Sequence, residues 1–264
     1  MKKFAHFFFW MILSFALQAE TPSQFENSLE QKFVKIPETS TFICVWKTRV
    51  SDYKKFVAKT GRKWPSPEFK QTANDPAVNI SWEDAKAFCY WLNEEEHASG
   101  KLPADWNYRL PTDKEWSQAA GLKPVDELTE FSGDDATAYP WGKNWPPPPN
   151  CGNYSPHLQV DKFPYTSPVG TFPPNKLGLY DLGGNAWEWC EDIYNRSADY
   201  RVLRGGSWRV RQPMDLLLSN RVGNQPDLQL SVYGFRLVIE TPKPPEPVVV
   251  PQTNAVPHQF IPKK

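Results

Sequence analysis

The sequence predicts a loop-rich domain with an aromatic core, built from a few short helices and strands and not from a helical bundle. Three observations predict it. Among 264 residues there are 12 Trp, 27 Pro and 14 Gly against only 3 Met. Large rings fill a core, while Pro and Gly interrupt regular elements. Two separate segments open with a capping box, Ser81-Trp-Glu-Asp84 and Thr112-Asp-Lys-Glu115, and each marks a helix start. Several short apolar runs, too short for helices, read as strands.

Taken along the chain, residues 1–19 read as a secretory signal. Lys2 and Lys3 give the charged start, Phe7 to Leu17 the apolar run, and Leu17-Gln18-Ala19 the cleavage site. That run is short for a membrane-spanning helix of about 20 residues, so cleavage is expected and no stable membrane span remains. Residues 20–32 are polar and are expected to form a flexible leader. A domain follows over residues 33–240. Phe33-Val-Lys-Ile36 and Phe42-Ile-Cys-Val-Trp46 show strand-like alternation. Ser51 is expected to cap a helix with the stripe Tyr53, Phe56 and Val57, ending at Gly61. The Ser81 box leads into a helix burying Ala85, Phe88, Cys89 and Leu92. The Thr112 box leads into one that presents Trp116, Ala119 and Ala120 and stops at Gly121. Beyond Leu122 loops and short strands take over, with Val202-Leu-Arg204 and Phe235-Arg-Leu-Val-Ile239 expected as strands. Residues 241–264 hold seven prolines and are expected to be a disordered or polyproline tail.

Thirty basic and thirty acidic side chains cancel, which argues against a nucleic-acid groove as the main partner surface. The signal implies an exported protein, periplasmic or extracellular. In that setting Cys44, Cys89, Cys151 and Cys190 allow three disulfide pairings, none of them ranked by the sequence. No C-x-x-C pair exists, so zinc is not indicated. Structural disulfides or buried thiols are the expected roles.

Three motifs in the second half carry a family resemblance: Gly178-Leu-Tyr-Asp-Leu-Gly-Gly-Asn-Ala-Trp-Glu-Trp189, Arg204-Gly-Gly-Ser-Trp208 and Gly234-Phe-Arg236. Val78 to Ala85, Arg109 to Trp116, Tyr139-Pro-Trp-Gly142 and Ser167-Pro-Val-Gly170 occur in the matching order. Over roughly Phe33 to Glu240 the chain resembles the formylglycine-generating enzyme (sulfatase-modifying factor) family, a relative of the C-type lectin fold. The resemblance implies an irregular α+β architecture with little regular secondary structure.

It also implies calcium as a structural ion. Asp181 and Glu188 would give side-chain oxygens, with Gly184 and Ala186 giving carbonyls. A second site would use Asn153 and Asp161 side chains with the Tyr154 and Phe163 carbonyls. Calcium takes six to eight such oxygens at about 2.3–2.6 Å. From spacing alone, capping turns and satisfying buried backbone would be the favoured role of these polar residues.

The family's oxidase holds copper between two thiolates and oxidises a substrate cysteine. The interval from Ser207 to Arg236 contains no cysteine. Val210 stands near the first thiolate position, and Met214 or Asp215 near the second. One thioether is too little for a two-coordinate copper thiolate site, so copper is not expected. His97, His157 and His258 are too far apart in sequence to suggest a three-His iron site. Ser207 lacks the G-x-S-x-G setting of a nucleophile. Arg204, Arg221 and Arg236, with Ser207 and Trp208, could line a groove; equally, the arginines could pair with carboxylates around the core. Trp187, Trp189 and Trp208 could form a sugar platform, with core packing the more ordinary role. The expectation is an exported, calcium-stabilised binding or scaffold module for a protein, peptide or glycan. An active formylglycine-generating oxidoreductase and a lectin-like module are the alternatives.

Overall fold

The structure is a computed structural model that describes residues 24–123, 137–195 and 198–243. It is an irregular α+β fold of three helices and nine short strands among the described residues, as the sequence predicts. The expected signal and nearly all of the proline-rich tail lie outside the described residues.

Five strands form one sheet in the order β1-β2-β3-β9-β4: β1 (Gln24–Glu26), β2 (Lys32–Lys35), β3 (Thr41–Cys44), β4 (Asn107–Arg109) and β9 (Val238–Glu240). A second sheet runs β7-β6-β5-β8, from β5 (Trp187–Asn195), β6 (Ala198–Arg204), β7 (Arg221–Asn224) and β8 (Tyr233–Phe235). Within it β8 pairs parallel to β5, placing Gly234 opposite Glu188.

Within the expected leader, the described residues 24–32 depart from expectation, and residues 20–23 lie outside the described residues. Gln24–Glu26 pairs with β2, Leu29 and Gln31 are buried, and Gln31 donates to Asp52 at 3.1 Å. Its polarity reflects internal hydrogen bonds, not a flexible leader. The expected strand over 235–239 is in fact two. Arg236 and Leu237 turn inward and are fully buried, so the chain crosses from the second sheet to the first at that point.

Helix α1 (Val50–Thr60) starts two residues earlier than Ser51 predicts. Its N-cap is Arg49, whose backbone N–H is accepted by Asp52 at the third helical position. Helices α2 (Trp82–Ser99) and α3 (Asp113–Ala120) carry the two expected capping boxes. All three helices end on a left-handed glycine, the usual stop. Tyr53 and Phe56 of α1 meet Phe88 of α2 at ring distances of 5.8 and 5.5 Å, and Phe88 meets Phe235 at 5.3 Å. That aromatic layer is one core. Trp116 and Ala119 of α3 pack with Cys190, Val202 and Val238 in a second.

All four cysteines are free thiols, and Cys44, Cys89 and Cys190 are buried. Of the two expected roles, the structure has buried thiols. Burial pushes the Cys44 and Cys89 thiols up to about 12 and also raises the Cys190 thiol well above its ordinary value, which leaves them unreactive near neutral pH.

Helix α3 is also tied electrostatically. Glu115 closes its capping box by accepting the Thr112 N–H at 2.8 Å and forms a bidentate pair with Arg109, both contacts at 2.7 Å. Burial alone would push the Glu115 carboxyl up, but Arg109 and the hydrogen bonds hold it below the usual glutamate range. A carboxyl depressed in the folded state stabilises above its unfolded pKa and loses that contribution as pH falls through its folded value. Urea titrations between pH 7 and 3 are expected to show a smaller acid loss of stability in Glu115→Gln than in wild type.

Candidate functional site

Strand β5 alternates its faces. Trp187 and Trp189 enter the first core, while Glu188 and Cys190 face the other way. Glu188 therefore arrives fully buried beside Trp116. Four donors meet its carboxylate. Lys47 Nζ lies 2.5 Å from Oε1 and Arg236 Nη2 2.8 Å from the same oxygen; Arg236 Nε and Trp116 Nε1 each reach Oε2 at 2.9 Å. Arg236 also donates to the Cys44 carbonyl at 3.0 Å and the Tyr180 carbonyl at 2.8 Å. Lys47 donates to the Asp181 carbonyl. Burial would raise the Glu188 carboxyl, yet Arg236 and Lys47 pull it down to about 2. Burial lowers the Lys47 ammonium, and Glu188 opposes that shift.

The turn leading to β5 is equally constrained. Gly184 has φ +82°, and a Cβ there would lie 2.2 Å from the Asn153 carbonyl oxygen. Glycine is required at this approach. Asn185 then clasps Ser167, donating to its carbonyl at 3.0 Å and accepting its N–H at 3.2 Å. The Asn185 N–H donates to the Asn153 carbonyl at 2.8 Å, and its own carbonyl accepts from Trp208 at 3.0 Å. The Gly-Gly-Asn turn thus joins three loops.

The first expected calcium set does not fit an ion. Both Glu188 oxygens are engaged by cations and an indole N–H. The Asp181 carboxylate turns instead to the Gly170 N–H at 2.9 Å. Its other oxygen is buried without a partner, and burial raises the carboxyl despite Lys47. The second set fits better. Asp161 accepts the Tyr154 N–H at 3.1 Å and the Phe163 N–H at 2.7 Å, so it sits between the two segments expected to offer carbonyls. Asn153 is fully buried, its Nδ2 donates to the Tyr165 carbonyl at 2.8 Å, and its Oδ1 has no partner. Burial raises the Asp161 carboxyl, with backbone donors opposing. An oxygen-rich loop with an orphaned amide oxygen suits a hard cation. Among the described residues no group of three His, Cys, Asp or Glu side chains converges as a metal site, so any ion here would depend on carbonyls and water.

The expected groove residues divide. Arg204 is fully buried: it pairs with Asp113 at 2.9 Å, donates to the Ser219 and Asn220 carbonyls at 2.9 and 2.6 Å, and stacks over Trp116 at 4.7 Å. Arg221 pairs with the other Asp113 oxygen at 2.9 Å. Together with Arg236, these are core ion pairs and not groove walls. Ser207 is a buried turn residue accepting the Arg209 N–H at 3.3 Å. Trp187, Trp189 and Trp208 are buried, so they form no sugar platform. Trp208 packs edge-on to Phe69 and Tyr165, whose rings stack at 4.5 Å, and Tyr165 reaches the surface.

At the positions where thiolates would hold copper, Val210 is bonded through its backbone to Ser207 and Ser155, and Met214 is 75% exposed at the start of a short 3-10 turn. Lys47, Trp116 and Asp113 complete the buried centre and were not foreseen. Lys47 follows an apolar run and gives no local sign of a partner in β5, 141 residues away.

A two-sheet α+β domain stitched by a Gly-Gly-Asn turn and centred on a buried glutamate has the architecture of the formylglycine-generating-enzyme class. A family model described as the sulfatase-modifying factor enzyme 1-like domain matches residues 15–241, and the chain belongs to that family. It is 34% identical over 205 residues to the inactive C-alpha-formylglycine-generating enzyme 2 of Bos taurus, covering 69% of this chain and 56% of that protein. It is 31% identical over 218 residues to the formylglycine-generating enzyme of Thermomonospora curvata, covering 69% of this chain and 62% of that protein. The chain thus spans between half and two thirds of each relative. PvdO from Pseudomonas aeruginosa shares the fold with a TM-score of 0.62 at 20% identity, over 84% of this chain and all of that one. No helix among the described residues is long and apolar enough to cross a membrane.

Replacing Glu188 with Gln leaves two buried cations without their anion. Breaking one side of a buried pair costs about 3–5 kcal/mol. Chemical denaturation of Glu188→Gln is expected to show a loss of that order relative to wild type.

Proposed function

We propose that this family member is an exported binding or scaffold module without copper oxidase chemistry, with calcium held at the Asn153–Asp161 loop. The observation that carries the reading is the pair of positions where copper would need thiolates. Val210 stands near the first and Met214 or Asp215 near the second, and no cysteine lies between Ser207 and Arg236. Soft Cu(I) requires sulfur donors that carbonyls and amides do not replace. The thiols that exist are of no use there: Cys44, Cys89 and Cys190 are buried in the core and raised far from the thiolate form. Cys151, half-buried, is pushed up to about 11 by burial.

Relatives alone do not decide between activity and silence. An inactive and an active formylglycine-generating enzyme match at 34% and 31% identity. The residues at the thiolate positions favour the silent reading. A fold shared by both classes leaves function to the site. The exposed ring of Tyr165 beside Phe69 offers a surface for a peptide or glycan.

Incubation of the purified protein with copper and a Cys-x-Pro-x-Arg peptide is expected to yield no formylglycine by mass spectrometry. Copper-dependent turnover abolished by Cys190→Ser would overturn the reading. EDTA is expected to lower the melting temperature by several degrees, and Asp161→Asn to remove that response, because a ligand that binds only the folded state stabilises by mass action. A wild-type melt indifferent to EDTA sinks the calcium part alone.

A further inference from the structure

We propose that the Lys47 ammonium takes the place of calcium at the Asp181–Glu188 turn, so that this half of the fold is held by an internal cation and binds no metal. The argument is geometric first. Lys47 Nζ lies 2.5 Å from both the Asp181 carbonyl oxygen and Glu188 Oε1. A calcium ion would need to approach its oxygens to about 2.3–2.6 Å. Of these two oxygens Glu188 Oε1 belongs to the expected calcium set, and an ion seated on it where Lys47 sits would overlap the ammonium nitrogen. Lys47 and its two oxygen partners are buried in one enclosed space, with the side chains of Lys47 and Glu188 fully inaccessible.

Charge points the same way. Lys47 and Arg236 face Glu188 and Asp181, two formal positive charges against two negative. Other titratable groups near this centre are few. Trp116 is neutral, and Cys44, whose carbonyl binds Arg236, carries a buried thiol. Adding a divalent ion to a balanced, desolvated cluster would leave two uncompensated charges away from water, which is strongly unfavourable. A carboxylate that already accepts four hydrogen bonds also has no lone-pair direction left for an ion.

The substitution has a structural consequence. A bound ion dissociates and makes folding depend on its concentration. A lysine tethered just beyond β3 brings its charge with the chain, so this turn forms whatever the calcium level of the compartment. The inference is independent of whether the protein is enzymatically silent.

Calcium stoichiometry after equilibrium dialysis against 1 mM calcium tests it. Full-length wild type is expected to hold at most one calcium per chain, and Asp161→Asn none. Two ions per chain in wild type, or one in Asp161→Asn that disappears with Asp181→Asn, would overturn the proposal. In the Asp161→Asn background, Lys47→Ala is expected to melt lower and to regain about 5 °C or more with calcium. Lys47→Arg in the same background is expected to show no calcium response. If the alanine variant folds and its melting temperature ignores calcium, the ammonium is not standing in for an ion. Should that variant not fold, the wild-type stoichiometry decides alone.

Discussion

The carboxylate of Glu188 is the constraint on which the rest of the molecule depends. It is fully buried, and its four donor atoms come from three different places in the chain: Lys47 after β3, Trp116 on α3, and two nitrogens of Arg236 between β8 and β9. Arg236 then reaches back to the carbonyl of Cys44 at the end of β3 and to Tyr180 in the turn before β5. Two sheets, one helix and a long loop thus meet at one charge. Such a cluster is costly to bury and gains only when fully satisfied. Because every donor is needed, alternative packings of the loops leave a buried charge bare. The cluster specifies the arrangement more than it adds net stability.

A second buried anion, Asp113, repeats the device at the first residue of α3, one turn from Trp116. It pairs with Arg204 and Arg221 while Arg204 covers the face of Trp116. The tryptophan is therefore sandwiched between two polar centres, its indole N–H on Glu188 and its ring under a guanidinium. In a domain with only short strands and three helices, these side-chain centres substitute for the long backbone ladders that hold more regular folds.

Much of the fold was legible locally. The capping boxes at Ser81 and Thr112 announced α2 and α3 because their hydrogen bonds close within four residues. The helical stripe of Phe88, Cys89 and Leu92 was legible for the same reason. What was missed depends on distance. Gln31 looks like part of a flexible leader until Asp52 is placed beside it, and Phe235 to Ile239 looks like one strand until Arg236 finds Glu188. The arginines of the motifs gave no local sign that Asp113 and Glu188 were their partners. Local pattern cannot distinguish a groove arginine from a core arginine.

The Asp181–Glu188 turn shows how a motif's form can be held by its own backbone and buried charges. Gly184 is required by the close approach of the Asn153 carbonyl, and Asn185 by its clasp on Ser167. Neither demand involves a metal. Glu188 is required by Arg236 and Trp116, again without one. The turn is over-determined by backbone geometry and buried charge, so replacing the ion by an ammonium changes one partner and leaves the others in place. Spacing that suggests calcium in one family member is equally the spacing of a salt-bridged turn. What would separate them is a lysine far away in sequence, whose ammonium here lies on Glu188 and the Asp181 carbonyl.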